Sequence, residues 1–294
     1  CPEFLVAFYA VWSMGAVILP INAKLHTREV SWILDNAKCW YVLGDAVLSS
    51  EIRLPNITIF NPKWDDLSTN VQVAPVSCSF NELAWLFYTS GTTVKPKGVM
   101  LSHNSFSSYI LSNVSPVDPD LDEKNILTVP LYHIAGIQAV MAAIYGGRTL
   151  IVQRQFEADQ WMELVQKEQV NRAMMVPTML KQLMDHADFH KYDLSSLEVI
   201  TYGAAPMPLE VIKRAIQEFP NTRFINAFGQ TETASTITML PPEDHVMDGT
   251  PEENERKLQR LSSIGKPLAD VDVRIVDEAG NETPQGEVGE IVAR

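Results

Sequence analysis

Residues 88–99 read Tyr-Thr-Ser-Gly-Thr-Thr-Val-Lys-Pro-Lys-Gly-Val. Hydroxyls and backbone N–H groups of Ser90, Gly91, Thr92 and Thr93 are of the kind that converge on phosphate oxygens. Gly91 and Gly98 permit close backbone approach, and Lys95 and Lys97 add positive charge. Pro96 stiffens the turn between the two lysines. The spacing is not G-x-x-x-x-G-K-[ST], because Val99 follows Gly98, so a different phosphate loop is implied. The competing reading is a solvated turn rich in Ser, Thr and Gly. Two lysines inside such a turn, in a chain of net charge −13, favour phosphate.

Three further segments carry candidate chemistry. Asn226-Ala-Phe-Gly-Gln-Thr-Glu-Thr233 follows an apolar run directly, and ligands of open α/β sheets bind at strand ends. There Phe228 suits stacking on a base, and Thr231 offers a hydroxyl. Glu232 is a hard oxygen ligand of the kind Mg²⁺ takes once or twice beside water and phosphate. Tyr202-Gly-Ala-Ala-Pro206 also ends a predicted strand. Gly203, Ala204 and Ala205 leave room beside the backbone for a flat ring. Tyr132-His133 opens an apolar helix, with His133 either a substrate-facing group or a helix cap. Ile134, Ala135, Gly136, Ile137, Ala139 and Val140 carry no charge, so a pocket lined by them is apolar. Taken alone, a tight turn remains the alternative for both strand-end segments.

The elements that must position these residues follow from hydrophobic periodicity. Leu83–Phe87 and Val99–Leu101 read as strands flanking the lysine-bearing loop. Helices are expected from Pro2 to Gly15, from an N-capping Thr27 to Asn36, over His103–Leu111 and Ile134–Tyr145, and around Trp161, Met179 and Leu209–Phe219. Strands are expected at 16–19, 40–43, 57–60, 126–129, 149–152, 173–176, 197–200, 223–227, 271–276 and 290–292. This alternation implies an α/β fold, a mostly parallel sheet with helices on both faces. Residues 1–240 read as the core, with the loop 88–99. Residues 241–263 read as a mobile surface excursion, and 264–294 as a smaller β-rich subdomain.

Composition narrows the class. The chain has 294 residues, 46% hydrophobic and 20% charged, with 36 acidic against 23 basic side chains. That excess argues against nucleic acid or an anionic membrane as partner but not against a mononucleotide. The apolar stretch 126–147 contains Pro130, His133 and Gln138 and reads as a buried strand, turn and helix rather than a membrane span. Three cysteines, Cys1, Cys39 and Cys78, show no metal-ligand spacing and read as reduced thiols in a cytoplasmic protein. The first residue is not Met, and the last residues fall inside a predicted strand. Both ends are therefore expected to be cut from a longer protein. The sequence leaves the oligomeric state open.

Together these segments resemble the adenylate-forming superfamily: acyl-CoA synthetases, luciferases and peptide-synthetase adenylation domains. YTSGTTVKPKG resembles its phosphate loop, YHIAG, YGAAP and FGQTET its later core segments, and IGKPLADVDVRIVDE and GEVGEI the run-up to its hinge. The resemblance implies that Thr89, Ser90, Gly91, Thr92, Thr93 and Lys97 hold ATP phosphates. It implies that Gly203, Ala204 and Ala205 flank adenine, that Asn226 meets its amino group and that Phe228 stacks on it. Gly229 belongs to the same segment, Thr231 would touch the α-phosphate, and Glu232 would hold Mg²⁺. His133 would sit near the acyl carboxylate, with Tyr132, Ile134, Gly136 and Ile137 around the acid.

Val94 departs from the usual glycine and Phe228 from the commoner tyrosine. The implied activity is conversion of a carboxylic acid, fatty or otherwise apolar, and ATP to acyl-AMP, then thioester formation with coenzyme A. The alternatives are an amino-acid adenylation domain, another ATP-dependent phosphotransferase and a nucleotide-binding fragment without turnover. The family's ribose-binding Asp and its C-terminal lid domain with the catalytic lysine do not occur in these residues. This chain alone is therefore expected to turn over little.

Overall fold

The computed structural model describes residues 2–44, 52, 57–60, 74–89, 95–234 and 236–294. The chain divides into two compact units, residues 1–104 and 105–294.

In the first unit the helix Pro2–Ser13 buries Phe8, which packs with Trp12 against the fully buried Trp85. The helix Thr27–Asn36 presents Val30, Ile33 and Leu34 inward, as its spacing implies. Its cap is His26 rather than Thr27. The His26 Nδ1 accepts from the Arg28 N–H at 3.1 Å, and the Glu29 carboxylate accepts from the His26 N–H at 3.1 Å. An imidazole nitrogen thus takes the role a hydroxyl usually fills. Strands β1 (Tyr41–Leu43) and β2 (Thr58–Phe60) pair in parallel. Strands β3 (Leu83–Thr89) and β4 (Lys97–Ser102) pair antiparallel, with Tyr88 opposite Gly98 and Thr89 opposite Lys97. The lysine-bearing loop therefore joins the two arms of a hairpin. The expected strand at 16–19 reduces to one bridge, Ile18 beside Trp85. Pro20 has no N–H to extend the ladder.

The second unit is built on one sheet of seven strands, in the order β11–β10–β9–β8–β7–β5–β6. The strands are β5 (Lys124–Leu127), β6 (Thr149–Val152), β7 (Arg172–Met175), β8 (Val199–Gly203), β9 (Arg223–Gly229), β10 (Thr236–Leu240) and β11 (Lys266–Pro267). From β6 through β9 every neighbouring pair is parallel, while β10 and β11 add antiparallel. The helices Ile134–Tyr145, Ala158–Glu168, Pro177–Met184 and Leu209–Glu218 alternate with the parallel strands. Trp161, Met175, Leu180, Ile200, Tyr202, Ile212 and Phe224 close the core between them. Strands β12 (Val273–Val276) and β13 (Glu290–Ala293) form a separate antiparallel pair.

Residues 241–263, where the sequence offers no βα rhythm, hold a 3-10 turn, Pro242–His245, and an α-helix, Pro251–Arg260. The helix has almost no apolar stripe. It is specified by its ends: Thr250 Oγ1 accepts from the Glu253 N–H, the Glu253 carboxylate accepts from the Thr250 N–H, and Pro251 opens the first turn. Among the described residues no helix is long and apolar enough to cross a membrane.

Candidate active site

Because β5 through β9 run in parallel, the segments that follow them lie along one edge of the sheet. The sheet order places β6 and β7 on opposite sides of β5, a point where chain direction across the sheet reverses and where α/β sheets open a crevice. Tyr132 and His133 follow β5, Gly203–Ala205 end β8, and Asn226–Glu232 end β9.

The β8 and β9 ends are direct neighbours: Tyr202 pairs with Asn226, and Gly203 with Ala227. A Cβ on Gly203 would stand 2.1 Å from the Ala227 carbonyl oxygen, so only glycine fits there. Ala204 then turns into the left-handed region, with φ +62°. Alanine there is strained, and strain of this kind gathers at binding sites. The result is a sharp exit from the strand that leaves Ala204 and Ala205 exposed.

Across from them Phe228 is half-buried and has no aromatic partner among the described residues. Its backbone pairs with Thr238 of β10. The Asn226 side chain donates its Nδ2 to the Ser263 carbonyl at 3.1 Å, which fixes the amide plane and leaves Oδ1 as acceptor. The segment after β9 winds into a 3-10 turn, Thr231–Thr233, closed by Ala234 at φ +60°. Within it Glu232 is exposed, and neither its carboxylate nor the Thr231 hydroxyl takes an intramolecular bond among the described residues.

At β5 the chain turns through Pro130 into the helix Ile134–Tyr145. His133 holds the N-cap position, yet its side chain makes no capping bond. The imidazole instead lies against Tyr132, ring centroids 4.5 Å apart, with part of its surface in solvent. Partial burial lowers its pKa below the ordinary histidine value, so it stays neutral near pH 7. Gly136 faces backbone: a Cβ there would lie 2.4 Å from the Pro130 oxygen. It thus serves the close packing of the 129–130 turn onto the helix. Ile137, Val140 and Ala143 are buried.

In the first unit Thr89 and Lys97 form the last pair of the hairpin. Lys95 rests over the Trp32 ring at 5.8 Å, and the Tyr88 hydroxyl donates to Asn36 Oδ1 at 2.6 Å. Ser90, Gly91, Thr92 and Thr93 lie outside the described residues.

A buried pair beneath the β8 end is absent from the sequence reading. Tyr202, fully buried, has its hydroxyl 2.9 Å from His245 Nε2. His245 Nδ1 lies 2.9 Å from the Pro241 carbonyl oxygen, which can only accept. Nδ1 therefore carries the proton, and Nε2 accepts from the tyrosine. Burial holds the phenol pKa above its ordinary value and lowers that of the imidazole. The partners are 43 residues apart, a separation that local periodicity does not reach.

The chain is 27% identical over 303 residues to a feruloyl-CoA synthase of Amycolatopsis sp, covering 99% of this chain and 57% of that protein. It is 29% identical over 304 residues to the long-chain-fatty-acid–CoA ligase FadD13 of Mycobacterium tuberculosis, covering 99% of this chain and 58% of that one. The chain thus spans little more than half the length of these relatives. Among solved structures, the inhibitor-bound N-terminal domain of FACL13 from Mycobacterium tuberculosis superposes with a TM-score of 0.85 at 28% identity. That match covers 99% of this chain and 73% of the other. The AMP-binding enzyme family model matches residues 1–294. With that match running from end to end, the chain belongs to the AMP-binding enzyme family.

Proposed function

We propose that this chain is the nucleotide- and acid-binding core of an acid–thiol ligase. In this reading a carboxylate oxygen attacks the α-phosphorus of ATP, the bond to pyrophosphate breaks, and an acyl adenylate forms. The sulfur of coenzyme A then attacks the acyl carbon. AMP leaves with the electron pair, and the thiol proton passes to solvent. The observation that carries the reading is the pairing of Gly203 with Ala227 at adjacent strand ends, beside a Phe228 ring that has no aromatic partner among the described residues.

Adenine lies along Gly203, Ala204 and Ala205 with Phe228 stacked on it, and Asn226 Oδ1 accepts from the exocyclic amine. Gly229 lets the chain turn closely beside the ring, and the Thr231 hydroxyl meets the α-phosphate. Thr89, Ser90, Gly91, Thr92, Thr93 and Lys97 hold the β- and γ-phosphates. His133, neutral and not engaged in capping, meets the substrate carboxylate without adding charge. Tyr132 and Ile134 line the acid's path, Ile137 is fully buried in the same helix, and Gly136 holds the turn in place.

Glu232 fits Mg²⁺. It is a single exposed carboxylate without an internal partner, and no group of three or more metal-ligating side chains occurs among the described residues. This is the donor set of a cation held mainly by phosphate and water. When bound, Mg²⁺ withdraws charge from the phosphate oxygens. The protein supplies no nucleophile; its task is alignment and charge neutralisation.

The chargeless helix Ile134–Tyr145 favours an apolar acid, aliphatic or aromatic, over an amino acid. Residues 1–240 supply the nucleotide and acid contacts; within 264–294, Lys266–Pro267 completes the seven-stranded sheet and the β12–β13 pair begins a smaller β-rich subdomain. The test measures pyrophosphate release by the protein at its natural full length, with ATP, coenzyme A and a panel of carboxylic acids. Acid-dependent pyrophosphate and AMP are expected. Release of ADP, or a preference for free amino acids, overturns the reading.

A further inference from the structure

We infer that the buried Tyr202–His245 pair is a positioning device for the nucleotide slot, and that AMP affinity depends on the hydrogen bond between them. The inference rests on the nucleotide reading above.

Gly203, Ala204 and Ala205 have no side chain long enough to anchor the turn they make. The turn is nevertheless strained, with Gly203 pressed onto the Ala227 carbonyl and Ala204 at φ +62°. Something must hold the strand end in that conformation, because strained backbone persists only where its surroundings over-determine it. Tyr202 is the last residue before the turn with a side chain able to do so. Its backbone pairs with Asn226, the residue proposed to read the base, and its hydroxyl reaches 2.9 Å to His245.

His245 is held in turn. Its Nδ1–H donates to the Pro241 carbonyl, and its ring lies edge-on to Tyr202 and against Phe224 of β9. Its neighbour Asp244 is paired with Arg260 at 2.6 Å. The same segment returns to the slot at Ser263, whose carbonyl orients Asn226, and at Ile264, whose carbonyl accepts from Thr238 at 2.6 Å. The stretch from Pro241 to Ile264 therefore grips three strands, β8, β9 and β10, just below the strained turn.

The groups around His245 are the Tyr202 phenol from β8, the apolar Phe224 from β9, Glu243 and Asp244 on its own turn, and Arg260 behind Asp244. Burial lowers its pKa against the raising effects of the Pro241 bond and the two carboxylates, so at neutral pH it is the acceptor the tyrosine needs. Protonation reverses that bond, leaves the tyrosine proton to find another acceptor and puts a charge in the core.

The test measures AMP binding by calorimetry, and thermal stability alongside, for the unmodified chain, Tyr202→Phe, His245→Gln and the double variant, at pH 7.5 and in steps below it for as long as the protein stays folded. At pH 7.5 each single variant is expected to weaken AMP binding about fivefold, with the double no worse than either single. As the pH falls through the lowered His245 pKa, the ratio of variant to unmodified Kd falls toward one. Titration of the AMP phosphate is common to all the proteins and cancels in that ratio. If His245→Gln does not fold, the Kd ratio and melting temperature of Tyr202→Phe at pH 7.5 decide alone. Variants that lose thermal stability but keep AMP affinity within twofold, or whose effects add, overturn the inference and leave the nucleotide reading standing. An unmodified chain that binds no AMP at pH 7.5 overturns both.

Discussion

Gly203 and Ala227 face each other across β8 and β9 so closely that a methyl group on Gly203 would lie 2.1 Å from the Ala227 oxygen. The contact is backbone on one side, so no side-chain rotation relieves it. Gly203→Ala should force the two strand ends apart, at a cost of about 1–3 kcal/mol. AMP binding should fall by more than tenfold, because the displaced atoms are those that flank the proposed adenine position. Chemical denaturation and AMP titration of the variant check this. Unchanged values for both would mean that the strand ends are looser than the geometry indicates.

Ala204 occupies the left-handed region one residue later, where an L-residue with a Cβ is strained by about 1 kcal/mol or more. Ala204→Gly should remove that strain and leave stability equal or higher by about 0.5–1 kcal/mol, the gain being offset in part by the greater freedom of glycine when unfolded. Ala204→Val should lower stability, since a β-branched residue tolerates positive φ least. Ala204→Val should melt below the unmodified chain and Ala204→Gly at or above it.

Much of this architecture was legible in the residues. The helix Ile134–Tyr145 and the strand Thr149–Val152 have the bounds that their hydrophobic runs imply, and β7, β8 and β9 fall within three residues of theirs. Signals that depend on the far side of the fold were not legible. Thr236–Leu240 is a strand because it finds β9 antiparallel to it, and its own five residues do not announce that. The helix Pro251–Arg260 is hidden for a different reason: it lacks an apolar stripe, so hydrophobic periodicity does not reveal it, and only its capping box, Pro251 and basic last turn mark it locally. Among the site residues, Gly203, Ala204, Ala205 and Phe228 stand out by their types and their place at the ends of predicted strands, whereas Asn226 enters only through the family resemblance. The left-handed turn at Ala204 leaves no trace in an alanine, and Tyr202–His245 joins residues with no local relation.

Gly136 illustrates how residue type can mislead about role. A small residue in an apolar helix suggests space for substrate, yet its α-carbon packs under Pro130. Gly136→Ala should therefore destabilise the fold by about 1–3 kcal/mol rather than shorten the range of acids accepted. Thermal unfolding together with a chain-length profile separates the two outcomes. An intact melting temperature with a shortened profile would return Gly136 to the pocket wall.

The opposite edge of the sheet provides a control. Glu123, just before β5, is bonded by Arg148 at 2.6 Å and by Arg172 at 2.8 Å, tying together the starts of β5, β6 and β7. Burial pushes the Glu123 pKa up, but the two guanidinium groups outweigh it and hold the carboxyl below the ordinary glutamate value. A depressed folded-state pKa means stability that is fully present above about pH 4.3, the unfolded value, and lost as pH falls further. Glu123→Gln should cost about 2 kcal/mol at pH 7 and flatten the acid limb of the stability curve. AMP affinity should remain unchanged, because the strand starts lie a full strand length from the proposed slot. A large loss of AMP binding in this variant would show that affinity tracks general stability, and would weaken every affinity argument made for the β8 and β9 ends.

Glu232 is the sharpest separation of stability from chemistry. It is exposed, and it makes no ion pair or hydrogen bond among the described residues, so its removal takes nothing from the packed structure. Glu232→Gln keeps the size and shape of the side chain and removes only its charge. The melting temperature should therefore stay within about 1 °C, in line with a surface change of less than about 0.5 kcal/mol. If the carboxylate holds the cation that neutralises ATP, pyrophosphate release by the full-length protein should fall by about a hundredfold or more, and the Mg²⁺ concentration for half-maximal rate should rise. Binding of AMP in the absence of metal should not weaken, since there is then no cation for the carboxylate to hold and the phosphate loses only a neighbouring negative charge. A variant with normal rate and normal Mg²⁺ dependence would remove Glu232 from the site. Normal Mg²⁺ dependence with a reduced rate would assign it instead to orienting the Thr231 turn.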